Sequence, residues 1–256
     1  MCIPYILFIP FHIQNLFINL KFLLQMKKLL FIALLSSSSF LSKGQVWFDI
    51  GAKGALGATA PVNANIMNDQ SENYTIFGGG KMSYMYGFKL GVNFNPIHSI
   101  TPEVNFSTLN PMYSSKIITV PTFKITQIPI MYRKNSDNGG YLEIGPQISL
   151  IQSVTAGDND VTSEFVKSSY DLVIGGGQYI GGASAFGFNL GFRATMPLVD
   201  INADRGYAIY KPADATDYTY KPYRNLFVAL VLEFNLNFGY LQHGPNCHPG
   251  TRFKLF

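Results

Sequence analysis

The stretch Ala185-Phe-Gly-Phe-Asn-Leu-Gly-Phe-Arg-Ala-Thr-Met-Pro-Leu198 decides how the chain is read. Its even positions, Phe186, Phe188, Leu190, Phe192, Ala194, Met196 and Leu198, are all apolar. The odd positions are small or polar, with Arg193 among them. A period of two sends alternate side chains to opposite faces and marks a β-strand. A strand this long is about twice the usual length in a soluble domain, yet it suits a tilted crossing of a bilayer.

The same alternation recurs along the chain. Phe48, Ile50, Ala52 and Leu56 oppose Asp49 and Lys53 in a first strand. Tyr84, Tyr86, Phe88, Leu90, Val92 and Phe94 oppose Gly87, Lys89, Gly91 and Asn93 in a second. The third sets Ile100, Pro102, Val104 and Phe106 against Thr101, Glu103, Asn105 and Ser107. In the fourth, about 121–133, Phe123 and Ile125 are odd whereas Ile128, Ile130 and Tyr132 are even, which predicts a bulge near Thr126-Gln127 or a strand that starts later. The fifth sets Leu142, Ile144, Pro146, Ile148 and Leu150 against Tyr141, Glu143, Gly145, Gln147 and Ser149. A sixth, about 166–178, carries Tyr170, Leu172 and Ile174 opposite Asp171 and Val173. The opening stretch is the seventh, and Leu226 to Phe238 the eighth, with Glu233 on its polar face.

Connections alternate between long and short: 59–80, 95–97, 109–119, 134–139, 153–165, 179–184 and 199–223. Asn95-Pro-Ile and Lys134-Asn-Ser-Asp-Asn-Gly139 have turn compositions. Short turns at one end and long loops at the other characterise bacterial outer-membrane barrels, which carry even strand numbers. The expected fold is all-β, an eight-stranded antiparallel transmembrane β-barrel of the outer-membrane type, placed in the outer membrane of a Gram-negative bacterium.

The chain divides accordingly. Met26-Lys-Lys-Leu-Leu-Phe to Gly44 has the basic start, apolar middle and small-residue exit of a secretory signal, so 26–44 is read as a signal peptide and 45–238 as the barrel. Residues 1–25, where Pro4, Pro10, Asn15 and Asn19 interrupt a clean spanning helix, are read as a start codon placed too early, with Met26 the initiator; the rival is a genuine anchor or an extension of the leader. Residues 239–256 form a C-terminal tail. The formal charge of +4 is a leader effect: four of the 19 basic residues (Lys21, Lys27, Lys28, Lys43) precede residue 45, leaving 15 bases against 15 acids. A neutral body offers nothing to nucleic acid. With only Cys247 beyond the leader, no internal disulfide framework forms.

Strand charges choose between two eight-stranded architectures. A soluble carrier barrel would turn apolar faces inward and charges outward. Asp49, Lys53, Lys89, Glu103, Glu143, Asp171, Arg193 and Glu233 all lie opposite the aromatics, and eight charges are too few to coat a soluble exterior. They fit a small lumen, where five acids and three bases form a polar network. Tyr84, Phe94, Phe106, Tyr132, Tyr170, Phe186 and Phe238 include aromatics for the two membrane interfaces.

Gln127-Ile-Pro-Ile-Met-Tyr-Arg, Gly140-Tyr-Leu-Glu-Ile-Gly-Pro-Gln-Ile, Tyr170-Asp-Leu-Val-Ile-Gly-Gly-Gly, Gly191-Phe-Arg with Val199-Asp-Ile, and the strand from Asn225 to Phe238 resemble the PorT-like outer-membrane β-barrel family of Bacteroidota. Gln127 and Ala194 depart from its pattern, where an acid and an aromatic are expected. The resemblance implies an integral outer-membrane protein without enzymatic activity, whose partners are outer-membrane lipid and envelope or secretion-machinery proteins.

Other constellations are weak. Gly78-Gly-Gly-Lys-Met-Ser83 fails as a phosphate loop because Met82 follows the lysine where Ser or Thr is required. Asp158, Asp160 and Glu164 lack the remaining ligands and glycine of a calcium loop. His243, Cys247 and His248 sit among prolines and glycine with no second cluster to complete four ligands. His98 is the one histidine between leader and tail, and a hydrolase would need a serine and an acid beside it. The expectation is therefore a non-enzymatic barrel without cofactor or metal, serving as a scaffold. The alternatives are a barrel enzyme acting on lipid or peptide, and a narrow channel for small solutes.

Overall fold

The computed structural model describes residues 46–67, 74–76, 81–116, 119–181, 186–203 and 221–238. The leader 1–44, the glycines at 78–80 and the tail 239–256 lie outside them. Eight long strands carry the fold: β1 (Trp47–Val62), β2 (Ser83–Asn93), β3 (His98–Leu109), β4 (Thr122–Asn135), β5 (Gly140–Ala156), β6 (Ser168–Gly181), β7 (Phe186–Pro197) and β8 (Arg224–Phe238). Each pairs antiparallel with its neighbours in sequence, and β1 pairs with β8, so the sheet closes into a barrel of the outer-membrane type. Closure removes every long free edge.

The register fixes the barrel's geometry. One path runs from Leu56 through Leu230, Phe192, Gly176, Leu142 and Lys134 to His98; the other runs from Leu56 through Tyr84 to Thr108. Both arrive on β3, at positions ten residues apart. That stagger around eight strands tilts them by roughly 40° to the barrel axis.

Side chains sort by face as the alternation requires. Outward positions such as Phe88, Leu142, Phe192 and Leu232 are between 51% and 70% exposed. Outward charge on the described strands is confined to Lys124, Lys134 and Arg224, each near a strand end. Tyr84, Phe106 and Tyr170 face outward toward the long-loop end, and Phe48, Tyr132, Phe186 and Phe238 toward the short-turn end, forming two aromatic girdles.

Three details differ from the sequence expectation. The strands run further, β1 to Val62 and β6 to Gly181. β4 has no phase change: Phe123, Ile125, Gln127 and Arg133 all point inward. Bulges lie instead in β5, where Lys124 pairs with Ser153 and Ile125 with Ile151 so that Gln152 is extra, and in β6, where Phe188 pairs with Gly181 and Asn189 with Tyr179. The expectation failed because it equated apolar with outward, and the interior near the long loops is itself apolar. There Met85, Leu109, Phe123, Ile125, Val154 and Phe227 pack with Ile66, Tyr113, Phe165, Ile201 and Tyr223 from the loops.

The loops are tied over that cluster. Asn63 donates from Nδ2 to the carbonyl oxygens of Lys221 (2.9 Å) and Pro222 (3.2 Å). The amide of Val166 donates to the Ile201 carbonyl, and that of Ala203 to the Glu164 carbonyl. Phe123 and Phe165 meet edge to face at 5.1 Å. Tyr74–Ile76 and Tyr113–Ser115 add a short antiparallel ribbon.

Candidate functional site in the barrel lumen

Seven of the eight strands send a charge into the half of the lumen nearer the short turns. β1 supplies Asp49 and Lys53, β2 Lys89, β3 Glu103, β4 Arg133, β5 Glu143, β7 Arg193 and β8 Glu233. All eight are at most 7% exposed. Arg193 forks between two carboxylates, donating to Glu103 at 2.7 and 3.1 Å and to Glu143 at 2.9 and 2.5 Å. Arg133 does the same between Glu143 and Glu233, with its closest approach 2.8 Å to each. Lys53 donates to Glu103 at 2.5 Å and lies 3.6 Å from Glu233. Lys89 bridges Glu233 at 2.8 Å and Asp49 at 3.1 Å. Guanidinium forks suit this work because each presents donors in a plane that matches paired carboxylate oxygens.

The layer holds four acids and four bases, so it is neutral as a unit. Amides finish it: Asn189 and Asn235 donate to Glu233, Asn105 to Glu103 and Asn93 to Asp49. The Arg133 guanidinium also lies 4.2 Å above the ring of Tyr141. Strand β6 contributes space instead of charge. A Cβ on Gly175 would fall 2.8 Å from Glu143 Oε1 and 2.9 Å from the Phe192 carbonyl oxygen. The Gly175-Gly-Gly177 run is thus where the wall thins to admit side chains from its neighbours.

Of the eight residues that the sequence assigned to a lumen network, seven meet in this layer and Asp171 does not. Asp171 lies nearer the long loops, accepting from Gln147 (2.8 Å), Ser169 (3.0 Å) and Ser149, with no cation in ion-pair range among the described residues. Arg133 takes its place in the charge balance, making the layer four acids with four bases where five and three were expected. Arg133 is hard to see in the sequence because it ends the predicted strand, whose apolar residues change parity from Phe123 and Ile125 to Ile128, Ile130 and Tyr132. Counting odd positions onward from Gln127 would have found it.

Between this layer and the apolar cap lies a belt of hydroxyls and amides that includes Asp171, in which the Ser107 hydroxyl donates to Gln127 at 2.6 Å. The lumen is therefore filled in three tiers. Cavities interrupt this filling at two places among the described residues. One of about 20 Å³ lies beside Asp171, and one of about 190 Å³ opens at the short-turn mouth.

The remaining candidates have structural roles. His98 faces outward, its Nδ1 hydrogen-bonded to the Tyr132 hydroxyl at 2.6 Å, and no serine or carboxylate joins its ring among the described residues. The Asp160 carboxylate accepts from the amide (2.9 Å) and hydroxyl (2.5 Å) of Thr162, which hold it below the usual carboxylate range. That engages it in its own loop. His243, Cys247 and His248 lie outside the described residues.

No family model matches the chain, and no curated protein matches it. Among solved structures it is similar to Neisserial surface protein A, at 15% identity and a TM-score of 0.43, covering 75% of this chain and 97% of that one. The outer membrane protein OprG of Pseudomonas aeruginosa matches at 11% identity and 0.42, covering 77% and 98%. Ail, the attachment invasion locus protein of Yersinia pestis, matches at 10% and 0.38, covering 76% and 99%.

Proposed function

We propose that the chain is an integral outer-membrane protein of a Gram-negative envelope, non-enzymatic, in which a closed barrel serves as a rigid platform for its four long loops. The observation that carries this reading is the three-tier filling of the lumen beneath an outward face that is apolar between two aromatic girdles. A buried basic group facing lipid at mid-bilayer costs about 2–4 kcal/mol, whereas here the charges are inside and mutually paired. In this orientation the short turns face the periplasm and the long loops the outside. Residues 26–44 then direct export and are removed.

A plug this complete argues against solute passage. Opening a path would separate forked ion pairs and also unpack Phe123, Phe165 and Phe227 from the outer end. The resemblance to PorT-like barrels favours a partner in the envelope or its secretion machinery over a soluble substrate. His98, engaged with Tyr132 on the outward face of the barrel, does not form the base of a hydrolytic triad among the described residues.

The expected result in planar bilayers is silence: purified protein gives no single-channel steps at potentials where a porin control conducts. Regular steps would replace the platform with a channel.

A further inference from the structure

The short-turn mouth of the barrel is a polar concavity of about 190 Å³, below the roughly 300–1,000 Å³ of drug-sized pockets. Its floor is the top of the ion layer, where Asp49, Lys89 and Arg133 are already paired. A charged ligand would have to break those pairs and gains little by entering. The walls carry amides, among them Asn93, Asn235 and Asn237, together with Tyr141, the Asp137 carboxylate and, on one flank, Trp47.

Two buried polar atoms here lack hydrogen-bond partners among the described residues: Asn235 Oδ1, on a residue 7% exposed, and Asn237 Nδ2. Unsatisfied buried groups are costly, so they mark where a guest would be stabilised. One of these atoms accepts and the other donates. A hydroxyl both donates and accepts, so a cluster of hydroxyls is the complement of this set.

We propose that this mouth binds a neutral, hydroxyl-rich ligand the size of a monosaccharide, either a free sugar or the end of a glycan strand. The cavity exists whichever way the barrel is inserted; only arrival from the periplasm rests on the orientation proposed above. Binding in detergent micelles therefore tests the site without testing that orientation.

Trp47 is the single tryptophan of the chain, so its emission reports occupancy directly. Titrating the folded protein with N-acetylglucosamine should give a saturable change, and glucuronate, of similar size but charged, should not. A tetramer of N-acetylglucosamine that saturates as the monomer does identifies a glycan end, and response to the monomer alone identifies a free sugar. Asn235→Leu and Asn237→Leu should each weaken binding by about three- to tenfold, the effect of one lost hydrogen bond. Should Asn235→Leu fail to fold, Asn237→Leu at the half-buried rim decides. A linear, unsaturable response, or saturable binding unchanged in the variants, overturns the site.

Discussion

Glu233 is the residue on which the lumen's charge balance turns. It accepts from Arg133, Lys89, Asn189 and Asn235, and Lys53 stands 3.6 Å away. Removing one partner of a buried ion pair costs more than the pair contributes, because the remaining charges stay desolvated. Glu233→Gln keeps the shape yet leaves three cations short of a counter-charge. The expected loss is about 3–5 kcal/mol, read from urea unfolding in lipid vesicles. At this scale the sequence was nearly legible. Asp49, Lys53, Lys89, Glu103, Glu143, Arg193 and Glu233 announce their face by lying opposite aromatics. Asp171 has the same parity but a different depth, and parity carries no information about depth. Only the register, with its stagger of ten, shows which inward positions stand level with one another.

The strands were legible as elements wherever lipid set their pattern. Period two identified all eight, and the turn compositions separated them. It misled where a strand rises past the apolar belt into the capped end. In β4, Thr122, Lys124 and Thr126 face outward while Phe123 and Ile125 turn in, so polarity inverts although the strand does not. Two substitutions separate these environments. Phe123 is fully buried against Phe165, and Phe123→Ala should cost about 3–5 kcal/mol as a core truncation does. Phe192, two-thirds exposed on the outward face, should tolerate Phe192→Ala with a much smaller loss in the same urea titration. Equal losses at the two sites would mean that the outer end is not packed as described.

For the whole molecule, the ion layer behaves as one network and not as a set of independent pairs. Lys53 and Glu233 stand opposite each other across the β1–β8 junction, yet each has its nearest ionic contacts elsewhere. A charge reversal of both, Lys53→Glu with Glu233→Lys, would set one new carboxylate against Glu103 and one new ammonium against Arg133 and Lys89. The double variant should therefore unfold at no higher urea than either single variant, where an isolated pair would be rescued. This connectivity was the least legible part of the chain in its sequence, since it joins residues up to 180 positions apart through the closure of the sheet.

That junction has a consequence for how the molecule is made. The first and last strands align over fifteen positions, so the cylinder cannot shut until the end of the chain has arrived. Many offsets of two apolar-faced ribbons would satisfy lipid about equally well. A slip of one residue, however, turns Glu233 out into hydrocarbon, and a slip of two keeps it inside but out of step with the two guanidinium forks. The buried charges thereby act as a proofreader of assembly, making the one correct alignment of the closing seam cheaper than its neighbours before any loop has met the outside world.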